Sequence, residues 1–304
     1  MLAFKKLGHV FCPDGTIPRM RTHASNPVVT HVKEDLFRVY FGSRDDLQRT
    51  HIWFLDMYLK DEEFKIIGLS SGPVLAPGVL GAFDDSGVSI GCVLKNGENT
   101  WLYYMGWNLG VTVPWRNSIG LAVISAESSE AKRTSPVPMI DRNVHDPFTI
   151  SYPCVIRDGS IWKMWYGSNL TWGAQQSDMN HVIKYAWSAD GVQWNVEGAI
   201  SLNLKLPEEY ALCRPWVLKE NGLFKMWFCY RGDAYRIGYA ESNDGITFKR
   251  KAGPIVDVSS SGWDSEMVAY PSLIRHGRNL YLFYNGNHYG KTGFGLAVLK
   301  SGGI

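Results

Sequence analysis

Carboxylates at a repeated offset are the first candidates for chemistry in this sequence. The candidate catalytic residues are Asp84, Asp85, Glu209, Asp264 and Glu266. Each stands five to seven residues before an apolar segment that opens with Pro or Gly. Where two such groups meet, one carboxyl can be held protonated as an acid while the other stays ionised as a base or nucleophile, which is what glycosyl transfer requires.

Glu266 and Asp85 are the two carboxylates that the local sequence favours most, because each lies among aromatic and small residues. We predict that Glu266 is the general acid and Asp85 the general base. Asp84 or Asp264 would tune the pair, and Glu209 is a further candidate acid. The alternative is that these carboxylates only shape turns, since Asp is common before strands.

A second set of candidates consists of polar residues that end aromatic segments. They are Arg44, Asn108, Asn169, Arg231 and Asn287. Arginine and asparagine suit the hydroxyl groups of a sugar together with one anionic group, either a carboxylate or a phosphate. We therefore predict that these residues bind substrate. For the three asparagines, turn formation is the open alternative.

Five further residues are predicted to contact substrate, and they are Arg21, His23, Trp107, Arg214 and His288. The first two and Arg214 lie shortly before a segment-opening proline. Trp107 follows an aromatic segment, where a large ring is better suited to stacking on a sugar than to core packing. A lone histidine such as His23 is also a common structural residue, so that alternative stays open.

Repeated segments must position these side chains. Apolar strands open at residues 27, 91, 153, 215 and 271, with spacings of 64, 62, 62 and 56 residues. A second, aromatic strand begins nine or ten residues later in each repeat, and turn signals such as Asp158-Gly159 and Asn221-Gly222 join the two as hairpins. Regular short strands without a helical segment predict an all-β, five-bladed β-propeller with four-stranded antiparallel blades.

The last repeat ends the sequence after its third strand, so an outer strand is missing there. The segment Phe4–Phe11 is available to supply it. We predict that this N-terminal strand closes the ring, and that residues 1–304 form a single propeller domain. In such a fold the first strand of each blade lines the central channel, and the charged residues before it gather around one mouth.

Composition excludes several other classes of protein. The net charge is +2, so no strong field would attract nucleic acid or a membrane. There is no run of apolar residues long enough to span a bilayer. Five cysteines without metal-site spacing indicate free thiols in a reducing compartment. We expect a cytoplasmic protein with no cofactor and no metal set.

Two of the repeats resemble a known superfamily most closely. The pattern Met-Trp-Tyr followed by Ile-x-Tyr-Ala-x-Ser-x-Asp-Gly occurs at Met164–Tyr166 with Ile183–Trp194, and again at Met226–Phe228 with Ile237–Phe248. It is similar to the five-bladed propeller glycosidases, which include the arabinanase, levansucrase and invertase types in glycoside hydrolase families 43, 32 and 130. The resemblance implies cleavage of glycosides at the channel mouth.

The acids of those families do not transfer to this chain. Family 43 enzymes place an Asp directly before the first blade's proline, where this chain has Asn26, and the neighbours of the later blade openings are Ser89, Ser151 and Tyr152. The family 32 and family 130 motifs are absent as well. An enzyme built on this sequence would therefore use displaced acids.

The sequence predicts a carbohydrate-active enzyme that cleaves a glycosidic bond by an inverting route. The expected partner is an oligosaccharide or glycoside, and the arginines Arg44, Arg214 and Arg231 would hold an anionic sugar or phosphate. A glycoside phosphorylase and a non-catalytic sugar-binding propeller are the two alternatives. A protein-interaction propeller is a third.

Overall fold

The computed structural model describes residues 4–205 and 207–300, and most of its regular structure is β-strand. The strands of the first half are β1 (Lys5–Phe11), β2 (Thr22–Lys33), β3 (Leu36–Arg44), β4 (Thr50–Lys60), β5 (Glu63–Leu69), β6 (Gly87–Asn96), β7 (Asn99–Leu109), β8 (Trp115–Ile124) and β9 (Lys132–Arg133). Those of the second half are β10 (Ile150–Asp158), β11 (Ile161–Asn169), β12 (His181–Ser188), β13 (Ile200–Leu202), β14 (Ala211–Glu220), β15 (Leu223–Arg231), β16 (Tyr235–Ser242), β17 (Lys249–Arg250), β18 (Ala269–His276), β19 (Asn279–Asn285) and β20 (Phe294–Lys300). A 3₁₀ turn at Gln176–Asp178 and the short helix α1 (Asn287–Gly290) complete the elements.

Hairpins form where the sequence predicts them. The turn between β14 and β15 contains Asn221 and Gly222, whose φ angles of 51° and 81° match a two-residue turn with both central residues left-handed. Gly159 takes a φ of 64° between β10 and β11. Each of these strand pairs is antiparallel, as is the pair β18 and β19. The predicted hairpins are therefore confirmed at these turns.

The strands form three sheets. One eight-stranded sheet holds β2 to β9, a second holds β10 to β17, and a four-stranded sheet runs in the order β1-β20-β19-β18. Each large sheet consists of two antiparallel groups joined by a single parallel bridge, Thr50 to Gly87 in one and His181 to Ala211 in the other. The first strands β2, β6, β10, β14 and β18 contact one another in turn, and β18 contacts β2.

Buried thiols connect these first strands. The amide of Val155 donates a hydrogen bond to Cys92 Sγ at 3.1 Å, and the amide of Val217 donates to Cys154 Sγ at 3.3 Å. At these residues each first strand pairs with its hairpin partner on one side only, so the amide on the other side reaches the thiol of the neighbouring first strand. The five cysteines are free, and four are buried.

The N-terminal strand is tied to the end of the chain. Lys5 lies opposite Val298 and Phe11 lies opposite Phe294 in the antiparallel pair of β1 and β20. Lys6 Nζ also lies 2.7 Å from the buried carboxylate of Asp264. Among the described residues, no helix has both the length and the apolar character needed to cross a membrane.

Deleting residues 1–11 is expected to lower the melting temperature by more than about 10 °C, because β20 loses its partner and Asp264 keeps a buried charge without its cation. Thermal unfolding followed by circular dichroism measures the change. The control removes only residues 1–3, which precede β1. A melting temperature that is unchanged by the longer deletion would show that β1 does not hold the fold together.

Candidate functional site

A cavity of about 400 Å³ lies at one edge of the two large sheets, and strand ends in register form its walls. In the first sheet, Arg44 is opposite Thr50, Thr50 bridges to Gly87, Gly87 is opposite Trp107, and Trp107 is opposite Asn117. Directly opposed residues share a face of the sheet. A Cβ at Gly87 would overlap the indole of Trp107, so glycine lets that ring lie flat in the row.

The second sheet supplies a matching row. Asn169 is opposite His181, His181 bridges to Ala211, Ala211 is opposite Arg231, and Arg231 is opposite Tyr235. Apart from the small residue Ala211, all of these line the cavity. The two rows thus bring arginine, asparagine and aromatic side chains from distant parts of the sequence to one place. A cavity of this size falls within the roughly 300–1,000 Å³ of small-molecule sites.

Several residues of the cavity lining have a strained backbone conformation. Asn26, Tyr152, Arg214 and Tyr270 each precede a proline and have φ angles of 52°, 46°, 53° and 56°. Non-glycine residues seldom adopt this conformation, which costs on the order of 1–3 kcal/mol and is concentrated at functional sites. Three of the four line the cavity, Arg214 being the exception. None of these four residues is acidic.

The charge of the cavity is positive. Arg44 and Arg231 line it, no Asp or Glu among the described residues shares the lining, and neither arginine forms a salt bridge with a described residue. Arg231 Nη1 donates a hydrogen bond to the Tyr289 hydroxyl, and its Nε is buried without a partner among the described residues. The Arg231 guanidinium also lies 5.5 Å from the ring of Tyr210. The predicted substrate-binding residues Arg44, Trp107, Asn169 and Arg231 are therefore brought together.

His181 is a lining residue that the sequence analysis missed. Burial lowers its pKa to about 4, and the positive charge of Arg231 contributes to the shift. The imidazole is therefore neutral near pH 7, with a lone pair on one ring nitrogen. No hydrogen bond from its ring to another described residue exists in the structure. A neutral histidine beside an arginine can accept a proton from a bound molecule.

Arg214 lies behind the lining and is fully buried. Its Nη1 donates to the carbonyl of Gly91, whereas Nε and Nη2 have no partner among the described residues. Burial lowers its pKa, and the thiols of Cys154 and Cys92 oppose that effect. The guanidinium lies 5.9 Å from the ring of Tyr152, which does line the cavity.

Two of the predicted acids, Asp84 and Asp264, are structural ties, and Asp146 has the same arrangement. Asp84, Asp146 and Asp264 are buried, and each accepts a hydrogen bond from the tyrosine twenty residues later and from a basic side chain. The partners are Tyr104 with Arg133, Tyr166 with Lys184, and Tyr284 with Lys6, at distances between 2.7 and 3.1 Å. None of these carboxylates lies in the cavity lining. Their charges are already matched by cations that link neighbouring strands.

Glu209 has a similar position. Its carboxylate lies 2.6 Å from Arg250 Nη1, and its side chain is mostly buried. The amide of Lys205 also donates to it at 3.3 Å. Glu209 is therefore engaged in a local ion pair and does not reach the cavity lining.

Asp85 borders the cavity without entering it. It lines an adjoining depression that shares Arg44 and Trp107 with the main cavity. Burial would raise its pKa, but hydrogen bonds from the Gly81 amide, the Asn108 amide group and the Ser86 hydroxyl outweigh that effect, and the pKa lies below its usual value. An ionised carboxylate suits the predicted role of a base.

Glu266 is exposed on another part of the rim. Its side chain is 61% exposed, and its carboxylate lies 3.4 Å from His288 Nε2. Neither residue belongs to the lining, although the next residue, Tyr289, does. The structure therefore does not bring Glu266 and Asp85 into one cavity, and Glu266 lacks the apolar burial by which many general acids stay protonated.

Two predicted asparagines have other tasks. Asn108 is one residue beyond Trp107 on β7, so its side chain projects from the opposite face and donates to the Ala82 carbonyl and to Asp85. Asn287 lies in α1, and its side-chain oxygen accepts from the amides of Glu266 and Met267. Both residues hold loops together and lie outside the cavity lining.

The remaining two candidates lie beside the site. Arg21 pairs with Asp46 at 3.0 Å and donates to the Gly15 carbonyl, which ties it to a loop. His23 has a φ of 65° and is nearly buried. Burial lowers its pKa to about 4, and the nearby cations Arg44 and Lys291 act in the same direction. His23 is therefore neutral near pH 7.

The lining holds a set of side chains that the sequence analysis did not single out. They are Asn117, Tyr152, His181, Tyr210, Tyr235, Tyr270 and Tyr289. Tyr152 and Tyr270 each stand just before a repeat's proline, and the sequence analysis names only Tyr152, as a departure from a family motif. The others required the cross-strand register. Among the described residues, no three His, Cys, Asp or Glu side chains are placed to hold a metal ion.

Comparisons of the sequence find close relatives. No family model matches the chain. The uncharacterized protein Rv1502 of Mycobacterium tuberculosis strain H37Rv is 43% identical over 301 residues, which covers 99% of this chain and all of the relative. The uncharacterized protein MT1551 of strain CDC 1551 has the same identity and coverage.

Comparisons of the structure find glycoside-active proteins with the same fold. A β-1,2-mannobiose phosphorylase from Listeria innocua superposes with a TM-score of 0.70 and 12% identity, covering 98% of this chain and 94% of the other. A protein of the GH130 mannoside phosphorylase family gives 0.71 with 13% identity, covering 97% and 93%. A thermostable family 43 glycoside hydrolase gives 0.63 with 14% identity, covering 94% and 90%. The chain therefore belongs to the family of the mycobacterial proteins Rv1502 and MT1551, and it has the β-propeller fold of the glycoside hydrolases and phosphorylases.

Proposed function

We propose that this chain is a carbohydrate-active enzyme that acts on the glycosidic bond of a sugar bearing an anionic group. The observation that carries the proposal is the pair of arginines in a cavity without carboxylates: Arg44 and Arg231 have no salt-bridge partner among the described residues. Trp107 and Tyr210 add aromatic surface for a sugar ring, and Asn169 adds an amide for its hydroxyls. A guanidinium binds a carboxylate or a phosphate through two parallel hydrogen bonds.

The proposal includes the architecture that holds this site. The cyclic contacts of the first strands support five blades around one axis, and the pairing of β1 with β20 supports closure by the N-terminal strand. In this proposal residues 1–304 form a single domain, and the cavity lies at the mouth of its channel. The free cysteines support a cytoplasmic location.

A hydrolytic route would use the carboxylates of the rim. Asp85, ionised and next to the depression that continues into the cavity, would activate water, and Glu266 would protonate the leaving oxygen. An inverting enzyme needs these two carboxyl groups roughly 6.5–9.5 Å apart around the bound sugar. Because the two residues lie on separate parts of the rim, the route requires substrate binding to bring both carboxyl groups to this separation around one glycosidic bond.

Two alternatives each have an observation in their favour. The cationic lining favours phosphorolysis, in which phosphate takes the place of water beside Arg44 and Arg231. The lack of a carboxylate in the described lining favours a sugar-binding propeller without turnover. The first predicts phosphate-dependent cleavage, and the second predicts that Glu266→Gln and Asp85→Asn bind sugar as the wild type does.

Proton NMR on a pooled panel of neutral and anionic oligosaccharides, with and without phosphate, tests the proposal. We expect the wild type to produce a new anomeric signal from an anionic oligosaccharide. For a hydrolytic route, Asp85→Asn should slow this cleavage by about 10²–10⁴-fold, the usual contribution of general acid–base catalysis. Binding without any new signal from the wild type would overturn the enzymatic proposal in favour of the sugar-binding protein.

A further inference from the structure

The neutral histidine and the arginine that share one row of the sheet suggest a different chemical route. His181 and Arg231 are separated in their row only by the small residue Ala211. Neighbouring strands are about 4.8 Å apart, so the two Cα positions are about 10 Å apart across the row. A sugar ring with its carboxylate on Arg231 can therefore place a ring carbon next to the imidazole.

We propose that the cavity cleaves uronic-acid glycosides by β-elimination, with His181 as the base that removes the proton next to the carboxylate. This inference rests on the proposed function, because it takes the anionic glycoside of that proposal and names it as a uronide. It also assigns a catalytic residue that lies outside the set of carboxylates.

The step balances without water or any co-reactant. His181 takes the proton from C5 of the uronide, and the C5–H electron pair becomes the C4–C5 double bond. The C4–O bond breaks, and its electrons leave with the glycosidic oxygen, which takes up a proton. The products are one sugar with a free hydroxyl and one 4,5-unsaturated uronide.

Arginine is the residue that makes the proton on C5 removable. Negative charge develops on the carboxylate oxygens as the proton leaves, and a fixed cation at those oxygens stabilises it in the transition state. Arg231 can do this because it lines the cavity and forms no salt bridge with a described residue, while Nη1 is held by Tyr289. The bound carboxylate also offsets the positive charge that lowers the pKa of His181, so substrate binding makes the imidazole more basic.

Tyr289 can supply the proton for the leaving oxygen. Its hydroxyl accepts a hydrogen bond from Arg231, and a phenol group can act as a donor as well as an acceptor. The phenol lines the cavity, so it lies on the side where the substrate binds. The lining thus contains a cation, a neutral base and a hydroxyl acid, which is the set that elimination needs, and its described residues lack the carboxylates that hydrolysis needs.

Proton NMR in D₂O tests this inference on the full-length protein with a panel of oligomers of glucuronic, galacturonic, mannuronic and guluronic acid. Elimination gives a vinyl proton signal from the unsaturated product, whereas hydrolysis gives only saturated products. We expect the vinyl signal from the wild type, and a rate about 10²–10⁴-fold lower for His181→Gln. The control is His31→Gln. His31 is an exposed histidine on β2 that does not line the cavity.

Binding of the same oligomers, measured by ligand-detected NMR, separates the outcomes. Binding with saturated products, or binding without any product, overturns elimination and leaves the anionic-glycoside site intact. A lack of binding to every uronide overturns both. If His181→Gln does not fold, Tyr289→Phe takes its place and should slow formation of the vinyl signal while the uronide still binds. A vinyl signal that forms at the wild-type rate in either folded variant would show that the residue changed is not the catalytic group.

Discussion

Replacing Arg231 with methionine is expected to weaken the binding of an anionic glycoside by roughly 10- to 150-fold, since a hydrogen bond to a charged group contributes about 1.5–3 kcal/mol. Arg231 faces the cavity and has no salt-bridge partner among the described residues, so its charge is available to a ligand. Methionine keeps much of the aliphatic volume against the rings of Tyr210 and Tyr235. Isothermal titration calorimetry with the anionic oligosaccharide identified by NMR measures the loss.

Two comparisons make this result specific. Arg157→Met removes the same charge from an exposed position at the far end of β10 and should leave binding unchanged. Salt should weaken wild-type binding more than binding to Arg231→Met, because screening acts on the charge that the variant lacks. Equal affinity of wild type and Arg231→Met for the anionic ligand would remove this arginine from the site.

The second large effect is on stability. Asp146→Asn is expected to destabilise the fold by about 3 kcal/mol, at the lower end of the range for breaking a buried ion pair. Asp146 is fully buried and accepts from Lys184, Tyr166 and Ser168. Asparagine can keep hydrogen bonds to the hydroxyls but leaves the charge of Lys184 unmatched. The melting temperature should fall by roughly 5–10 °C.

The same residue predicts a dependence on pH. Burial would raise the pKa of Asp146, but its hydrogen bonds to Ser168 and Lys184 outweigh this, so the pKa in the folded protein lies below its usual value. A depressed pKa stabilises the fold above the unfolded value of about 3.9, and this contribution is lost as the pH falls through the folded pKa. The melting temperatures of wild type and Asp146→Asn should therefore converge below about pH 4.

The control for both measurements is Asp141→Asn, which changes an exposed carboxylate in the same loop region. It should change the melting temperature little at any pH, since exposed groups contribute little to stability. A difference between wild type and Asp146→Asn that persists undiminished in acid would show that the Asp146 charge is not the source of the stability.

The fold was predictable because its signals are local and repeated. Each hairpin turn, such as Asn221-Gly222, lies within a few residues of the strands it joins, and the 62-residue spacing marks the unit that recurs. The resemblance to propeller glycosidases is confirmed by the structural comparisons at the level of the fold.

The site was predictable only in part, because its side chains meet through register across strands. A shift of one residue moves a side chain to the other face of a strand. This alternation places Trp107 on the face that lines the cavity and Asn108 on the opposite face, where it holds a loop. The sequence does not indicate that His181 and Arg231 lie in one row. They are connected through Ala211 by a parallel bridge between two groups of strands, and such a bridge leaves no local sequence pattern.

Whether the carboxylates are catalytic was difficult to predict from the sequence for a different reason. A repeated Asp before a strand has the same appearance whether it faces a ligand or a cation of the protein itself. Only the contacts reveal that Asp264 pairs with Lys6, which is 258 residues away in the sequence. Tyr152 offers a clearer signal, because it stands directly before a repeat's proline and lines the cavity.

The most direct test of a site for an anionic glycoside is a titration of the wild-type protein with matched pairs of methyl glycosides. Each pair, such as methyl glucuronide and methyl glucoside, differs only in a carboxylate at C6. We predict that the uronide of at least one pair binds roughly tenfold or more tightly than its neutral partner, the effect of one charged hydrogen bond. Equal binding of both members in every pair, or binding of neutral sugars alone, would contradict the account.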